Sequence, residues 1–140
     1  MKKTFLYLVM AVFAMVVFNS CSSDRDEEEK LTNTNKAKIV GKWKVIDAKS
    51  GDTWGWPTYD TYYTFTNNGE FIKDGIGAGL DYGVYSMPQP DYIIGEAIDT
   101  YHFKIYSFES AGNVMLVDFS YGVQPTEFIG GPKLKLQKQP

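Results

Sequence analysis

The residue types that most often carry catalysis are scarce in this chain of 140 residues. His102 is the only histidine and Cys21 the only cysteine, so a catalytic set that needs an imidazole base has to be built around His102. The sequence contains no nucleophile elbow, phosphate-binding loop or zinc-protease motif. His102 alternates with Tyr101 and Phe103, which predicts an outward-facing surface histidine. We therefore expect a protein that is not an enzyme.

Metal binding has no better support than catalysis. A zinc site takes three or four histidine or cysteine ligands, and the chain has one of each. Asp47, Asp52 and Asp60 flank the loop after the first predicted strand, but their spacing is not that of a calcium-binding loop, and solvation of a turn explains them equally well. Two carboxylates suited to glycoside hydrolysis could come from any two strands, and nothing favours a particular pair. We expect neither a metal ion nor another cofactor.

The segment most suggestive of binding is Ser50–Tyr59, a glycine- and proline-containing loop with two tryptophans. Exposed large aromatic side chains lower solubility unless they pack or bind. Trp54 and Trp56 could stack on a sugar or cover the mouth of a barrel around an apolar ligand. The alternative, which we favour, is that they fold back as ordinary core. The other candidate ligand-binding residues are also aromatic, namely Tyr59, Tyr63, Tyr82 and Tyr85.

The N-terminus has the organisation of an export signal. Lys2 and Lys3 give it a positive start, and Phe5–Phe18 is an unbroken apolar run of about 14 residues, shorter than the roughly 20 that span a bilayer as a helix. Residues 1–20 are therefore predicted to be a signal peptide. A buried helix and an uncleaved membrane anchor are the alternatives, and the abrupt change to polar sequence at Cys21 argues against both.

The residues that end this signal resemble those of bacterial lipoproteins. Phe18-Asn19-Ser20-Cys21 is similar to the lipobox, in which the cysteine is acylated and becomes the new N-terminus. The resemblance implies that palmitate-like chains on Cys21 anchor the protein to the outer membrane of a cell envelope, each buried methylene contributing about 0.8 kcal/mol. The acidic run at 24–29 also resembles the signal that exports some Gram-negative lipoproteins to the cell surface, with a generic spacer as the alternative.

Composition separates a tether from a folding domain. Residues 21–36 are polar and densely charged, which predicts a flexible acidic tether, and 37–140 are predicted to form one domain with a single core. Because Lys2 and Lys3 leave with the signal peptide, the mature chain has 12 basic and 17 acidic residues and a net charge of −5. We expect no nucleic-acid binding, since there is no basic stripe.

The domain is predicted to consist of short β-strands, since aromatic and β-branched residues alternate with polar ones and glycine or proline interrupts at short intervals. The predicted strands are 42–48, 59–66, 70–73, 82–87, 92–97, 101–108, 114–121 and 133–138. Asn67–Gly69 and Ser110–Asn113 are predicted tight turns. Asp74–Gly79 is predicted to be a mobile glycine-rich loop, and a short helical turn is expected at 35–40. Eight hairpin-linked strands predict an antiparallel up-and-down barrel, with a β-sandwich as the alternative.

Alternation along these strands assigns their inner faces. The side chains predicted to point inward are Trp43, Val45, Tyr63, Phe65, Tyr101, Phe103, Ile105, Leu134 and Leu136. The lysines between them are predicted to point into solvent. A bulge would reverse these assignments locally.

Several of these segments resemble lipocalin-like proteins. Ile39-Val40-Gly41-Lys42-Trp43 is similar to the Gly-x-Trp signature of that superfamily, and Thr64–Phe71, Gly83–Ser86 and Lys133–Lys138 are similar to segments of bacterial lipocalin-like lipoproteins. The resemblance covers about residues 38–138. It implies an eight-stranded barrel whose closed end is plugged by Gly41 and Trp43.

The same resemblance implies a cation over the plug. Lipocalins often pack a last-strand arginine over this tryptophan, but the chain has no arginine after Arg25. Lys133 or Lys135 is therefore expected in its place, although a lysine lacks the planar guanidinium that stacks on a ring.

Two functions from different classes remain. The first is a membrane-anchored lipoprotein whose barrel binds a small apolar or sugar-like ligand without catalysing a reaction. The second is a structural or interaction protein of the cell envelope, with a barrel filled by its own side chains and an outer face that contacts an envelope protein partner.

Overall fold

The structure is a computed structural model that describes residues 23–56, 58–75, 79–122 and 133–140. The predicted signal peptide and the predicted lipidation site Cys21 lie outside these ranges. Within them the chain forms one α-helix, α1, over Ser23–Ile39, followed by nine strands. The strands are β1 Gly41–Ser50, β2 Thr53–Trp56, β3 Thr61–Phe65, β4 Glu70–Gly75, β5 Gly79–Gln89, β6 Tyr92–Glu96, β7 Thr100–Glu109, β8 Val114–Tyr121 and β9 Leu134–Lys138.

Eight of the described strands close into an antiparallel barrel. From β3 to β9 each strand pairs with the next, β1 pairs with β3, and β1 also pairs with β9, which closes the sheet. β2 pairs with the end of β1, beyond the part of β1 that pairs with β3. The predicted up-and-down eight-stranded barrel is confirmed, with every predicted strand present, and β2 is an additional strand that the sequence had suggested as a loop.

The alternating strand directions give the barrel two unlike ends. We call the end where α1 meets β1 the helix end, and there the β3–β4, β5–β6 and β7–β8 connections are tight turns. We call the opposite end the loop end. It carries the β2–β3, β4–β5, β6–β7 and β8–β9 connections, of which 57, 76–78 and 123–132 lie outside the described residues.

The two predicted tight turns at the helix end are both present. Gly69 has φ +85° and donates its N–H to the carbonyl of Thr66 at 3.2 Å, and Thr66 donates its own N–H to the carbonyl of Glu70 at 3.0 Å. A positive φ is the conformation that glycine adopts without steric cost. The second turn, Ser110–Gly112, is a single 3₁₀ turn in which Ser110 and Ala111 also have positive φ.

The predicted glycine-rich loop is wrong for the residues that the structure describes there. Asp74 and Gly75 end β4, Gly79 begins β5, and Gly75 pairs with Gly79 across the two strands. Glycine weakens a strand but does not prevent backbone pairing. The β4–β5 hairpin therefore continues further than its glycine content suggested, and the remaining residues of the loop lie in the gap 76–78.

The interior of the barrel is packed with aromatic rings, and the predicted inward faces are confirmed. The ring centroids of Tyr63 and Phe103 lie 5.0 Å apart in a T-shaped arrangement, and those of Phe65 and Phe103 lie 5.8 Å apart. Such pairs contribute about 0.5–1.5 kcal/mol beyond the area they bury. The buried apolar residues are Ile39, Trp43, Val45, Tyr63, Phe65, Phe71, Tyr85, Ile93, Tyr101, Phe103, Ile105, Met115, Val117 and Leu136.

In place of the predicted flexible tether, the described residues form α1 from Ser23 to Ile39, which includes most of the helical turn predicted at 35–40 and extends it back to Ser23. This segment contains neither glycine nor proline. Acidic residues occupy its first turn and basic residues its last turn, which complements the helix dipole. Arg25 and Glu29 are spaced i, i+4, as favours a solvated helix. Low hydrophobicity thus indicated exposure of the segment rather than disorder.

The C-terminal part of α1 is fixed to the helix end of the barrel. Ile39 is fully buried, and Asn35 donates a side-chain hydrogen bond to the carbonyl of Pro90 at 2.8 Å. The ammonium of Lys38 lies 5.3 Å from the centroid of the Phe108 ring. These contacts make the helix a continuation of the barrel rather than a separate linker.

Candidate functional site

A polar cluster lies on the inner wall of the barrel near the loop end. Tyr101 on β7 donates its hydroxyl proton to Asp81 Oδ2 on β5 at 2.7 Å. Asp81 is 7% exposed and Tyr101 3% exposed. Lys73 on β4 is paired in register with Asp81, and its ammonium lies 5.3 Å from the centroid of the Tyr101 ring. We call Lys73, Asp81 and Tyr101 the inner polar cluster.

Strand alternation explains why these polar side chains point inward. Asp81 shares its face of β5 with Tyr85, and Lys73 shares its face of β4 with Phe71, both of which are buried in the core. Tyr101 is the first core residue of β7. Near the loop end, the last inward side chains of β4 and β5 before their glycines are therefore the polar residues Lys73 and Asp81.

Aromatic rings surround the cluster. The centroid of Tyr63 lies 6.5 Å from that of Tyr101 and 5.9 Å from that of Phe119. The rings of Tyr101 and Phe119 are stacked with centroids 6.3 Å apart, and Phe71 lies 5.3 Å from Tyr101. The carboxylate of Asp81 is thus placed beside an apolar aromatic wall.

The environment keeps the phenol of Tyr101 protonated. Burial raises the pKa of Tyr101 above its ordinary value, and the hydrogen bond to Asp81 and the charge of that carboxylate raise this pKa further. Burial alone raises the pKa of Tyr63. Because Tyr101 stays neutral, it remains a hydrogen-bond donor to Asp81 through the physiological range. The cluster can accept hydrogen bonds through the carboxylate and donate them through the Lys73 ammonium, which suits binding of a polar group.

The candidate ligand-binding residues predicted from the sequence do not converge on one place. Tyr63 lies beside the inner polar cluster, and Tyr59 is 74% exposed in the β2–β3 connection at the loop end. Trp54 is half-buried, with the Lys135 ammonium 5.3 Å from its ring centroid. Trp56 is the last residue of β2, and its side chain lies outside the described part of the structure.

Tyr82 and Tyr85, both predicted to bind a ligand, lie on opposite faces of β5. Residues three apart on a strand point to opposite faces, and Tyr82 is 63% exposed on the outer face while Tyr85 is buried. Tyr85 lies towards the helix end, where its hydroxyl donates to the carbonyl of Thr66 at 2.9 Å. Of this pair, only Tyr85 belongs to the interior, and it does so at the end opposite the inner polar cluster.

The helix end is sealed by Trp43. This residue is fully buried, and its indole N–H donates to the carbonyl of Ile39 at 2.6 Å. Gly41 has φ +137°, and a Cβ there would lie 2.6 Å from Lys138 Cε. The absence of a side chain at Gly41 therefore leaves room for Lys138 to lie across the plug.

The cation over the plug is Lys138, so the expectation of Lys133 or Lys135 is wrong. Lys138 pairs in register with Trp43, its ammonium lies 5.3 Å from a ring centroid of that tryptophan, and it donates to the carbonyl of Lys38 at 2.9 Å. Lys133 instead forms an ion pair with Asp118 at 2.9 Å. The register of β9 against β1, which decides this, is a tertiary property.

His102 points away from the barrel interior as expected, but the prediction that it is a surface residue is wrong. It is 3% exposed, and its ring stacks on that of Tyr92 with centroids 6.0 Å apart. Nε2 lies 3.0 Å from the carbonyl of Gly122, and Nδ1 lies 2.7 Å from the hydroxyl of Tyr92. A carbonyl can only accept, so Nε2 carries a proton and donates it to Gly122, while Nδ1 shares a hydrogen bond with the Tyr92 hydroxyl. Both nitrogens are engaged, which ties three strands together and leaves no free base at His102.

Sequence reasoning missed Asp81 and Lys73 as site residues. The predicted strand began at Tyr82, so Asp81 was assigned to a region without strand alternation. Extending the alternation of Tyr85 back by four residues would have placed Asp81 on the inner face. The partner Tyr101 is 20 residues away in sequence, and no local pattern predicts that contact.

Within the described ranges, no three side chains among histidine, cysteine, aspartate and glutamate are gathered as a metal ion would require.

In the part of the chain that the structure describes, no helix has the length and apolar character needed to cross a bilayer.

Comparison of the chain with protein-family models, with curated proteins and with solved structures gives no match.

Proposed function

We propose that this protein is a lipoprotein of the cell envelope that binds a small ligand at the loop end of its barrel and catalyses no reaction. The observation that carries the proposal is the buried hydrogen-bonded pair of Tyr101 and Asp81 on the inner wall. Small-molecule sites are mostly apolar concave surfaces that carry a few well-placed polar groups. A carboxylate, a phenol and an ammonium on an aromatic wall have that composition.

The chemistry of the cluster favours a sugar-like ligand over a purely apolar one. Asp81 Oδ2 already accepts one hydrogen bond, and a carboxylate has several further lone pairs. Covering a buried carboxylate with an apolar ligand leaves these lone pairs unsatisfied, which costs about 1–3 kcal/mol or more. Hydroxyl groups of a ligand satisfy them, and the apolar face of a sugar ring can lie on the exposed Tyr59 at the same end.

The proposed anchor is the acylated Cys21. α1 begins two residues later, at Ser23, and its other end is buried on the barrel. A helix of 17 residues is roughly 25 Å long. Anchored in this way, the barrel would be held with its helix end towards the outer membrane and its loop end away from it, which leaves the proposed binding end accessible. Cys21→Ala tests the anchor. In cells labelled with palmitate the variant should carry no label, and in detergent phase separation it should move from the detergent phase to the aqueous phase.

Native mass spectrometry of the full mature chain, purified gently from its host, tests ligand binding. We expect a discrete additional mass that denaturation releases and that is lost in Asp81→Asn. The matched control is Asp60→Asn, an exposed carboxylate paired with Lys44 at 2.7 Å, which should keep the additional mass. If Asp81→Asn retains the mass to the same extent as the control, the proposed site is wrong.

A second candidate function is that of an envelope interaction protein without a small ligand. It is favoured by the aromatic packing of the interior, where neighbouring rings from β3, β4, β7 and β8 have centroids 5.0–6.5 Å apart. An eight-stranded barrel can be filled by its own side chains. A bare polypeptide mass for the wild-type chain and both variants would support this candidate over ligand binding.

A further inference from the structure

The outer face of the β4–β5 hairpin carries an exposed apolar stripe. Leu80, Tyr82 and Val84 occupy successive outward positions of β5 and are 53%, 63% and 56% exposed. Ile72 of β4 is paired in register with Tyr82 and widens the stripe. Scattered exposed apolar residues are ordinary, but contiguous ones often mark an interaction site. We call Ile72, Leu80, Tyr82 and Val84 the β5 stripe.

The β5 stripe is bordered by carboxylates on both sides. On β4, Asp74 is paired with Leu80 and Glu70 with Val84. On β6, Glu96 is paired with Val84 from the other side. Glu70 and Glu96 are exposed. Neighbours directly opposite on one face of a sheet are close enough to act on the same bound group, so the stripe and its acidic border form one surface.

The stripe also extends beyond the neighbouring strand. β6 ends at Glu96, opposite Val84, so Gly79–Gly83 of β5 continue past it towards the loop end. In the described part of the chain, this portion of β5 pairs with β4 on its other side. Leu80 and Tyr82 therefore lie on a part of β5 that has no pairing partner in β6.

We propose that the β5 stripe with its acidic border is a docking surface for a segment of another protein that carries both basic and apolar side chains. Leu80, Tyr82 and Val84 would bury the apolar side chains of the segment, and Glu70, Asp74 and Glu96 would pair with its lysines or arginines. This goes beyond the proposed ligand binding, because the stripe faces away from the barrel interior and shares no side chain with the inner polar cluster.

Charge complementarity selects this occupant over the two others that an apolar surface can take. In a symmetric pair of copies, the same patch meets itself, so the acidic borders would face each other and repel. An anionic lipid surface attracts basic residues and would be repelled by the same carboxylates. A basic segment with apolar side chains satisfies both parts of the surface, and its binding should weaken as salt is added.

The test is a binding titration with the full mature chain and three labelled 12-residue probe peptides. One alternates lysine and leucine, one alternates glutamate and leucine, and one alternates lysine and serine. We expect the lysine–leucine peptide to bind at least tenfold more tightly than either of the others. Tyr82→Ser and Glu96→Lys should each weaken that binding by roughly tenfold, equivalent to about 1.4 kcal/mol.

Matched controls lie on β7 of the same barrel. Tyr106→Ser removes another exposed tyrosine, which is 43% exposed, and Glu109→Lys reverses another exposed charge. Both should leave the binding of the lysine–leucine peptide unchanged, and near-ultraviolet circular dichroism should show that all four variants are folded.

Four results would overturn the proposal. The first is equal binding of the glutamate–leucine peptide, and the second is unchanged binding by Tyr82→Ser. The third is a dimer in sedimentation that Tyr82→Ser dissociates, which would make a second copy the occupant. The fourth is binding to phosphatidylglycerol vesicles that Tyr82→Ser abolishes, which would make the occupant a membrane.

Discussion

The two ends of the barrel use inward-facing residues in opposite ways. At the helix end, Trp43 and Ile39 are fully buried, and the polar atoms near them are paired with backbone carbonyls. At the loop end, the inward positions include a charged pair, Asp81 and Lys73, in register on neighbouring strands. Tyr59 and Ile98, in connections of that end, are 74% and 83% exposed.

We interpret this difference as a division of roles, in which the helix end stabilises the fold and the loop end is the proposed binding end. At the helix end, the hydrogen bonds of Asn35, Trp43 and Lys138 join α1 to the barrel and to the plug. Replacing both partners of a buried polar pair by apolar groups can be nearly neutral, so we expect the inner polar cluster to contribute little stability that apolar side chains would not. The proposed ligand gives the polar cluster a role at this end, and the following predictions test the contrast.

The largest expected effect is that of Trp43→Ala at the helix end. Removing a fully buried tryptophan that also bonds to the Ile39 carbonyl should lower the free energy of unfolding by about 3–5 kcal/mol. Phe119→Ala, near the loop end and only partly buried, should cost roughly half as much. Equilibrium unfolding in guanidinium chloride measures both. An equal or greater loss for Phe119→Ala would remove the distinction between the two ends.

Tyr101→Phe should lower the free energy of unfolding by about 1–3 kcal/mol, because it leaves the buried Asp81 carboxylate without its donor. Combining Tyr101→Phe with Asp81→Leu should restore part of that loss. Tyr85→Phe, which removes a bond to the backbone carbonyl of Thr66, is the matched control and should cost about 1 kcal/mol. If the double variant is less stable than Tyr101→Phe, the carboxylate has a structural role after all.

Alkaline pH should destabilise the protein through the same tyrosines. Burial raises the pKa of Tyr63 and of Tyr101, so above about pH 10 the unfolded chain releases phenol protons that the folded chain retains. Their contribution to stability is complete below about pH 10 and is lost progressively as the pH rises further. Unfolding measured between about pH 8 and 11.5 should give a steeper decline for wild type than for Tyr63→Phe or Tyr101→Phe. Parallel declines would contradict this.

The smallest expected effect is that of the cation over the plug. Lys138→Met should lower the free energy of unfolding by about 0.5–1 kcal/mol, since it loses the contact with the Trp43 ring and the bond to the Lys38 carbonyl. Lys135→Met, which loses a similar contact with Trp54, should cost less because Trp54 is only half-buried. Thermal unfolding of both variants measures the two costs. A larger loss of stability for Lys135→Met than for Lys138→Met would contradict the assignment of Lys138 as the cation that stabilises the plug.

Much of the fold could be predicted because it is encoded locally. Strand alternation placed Trp43, Tyr63 and Phe103 inside, and the Asn67–Gly69 turn followed from residues that accept a positive φ. The closed barrel followed from the number of strands and the short connections between them. These are properties of neighbouring residues, which a single sequence contains.

The candidate site could be predicted only in part, because it depends on contacts between distant strands. Tyr63 was identified, but Tyr101 and Asp81 come together through the order of β5, β6 and β7. The placement of Lys138 rather than Lys135 over Trp43 depends on the register between the first and last strands. The burial of His102 depends on side chains from neighbouring strands. Alternation predicts which way a side chain points but not which other residues cover it.

By itself, the sequence determined the chain's local order: where the eight barrel strands lie, which of their faces are apolar, and which catalytic residue types are scarce. It also predicts the export signal and the lipidation of Cys21, which await the experiments above. The tertiary structure alone decided that residues 23–39 form a docked helix and that Asp81 meets Tyr101. The physical reason is that alternation and turn propensity act over a few residues, whereas register and barrel closure join residues that are far apart along the chain.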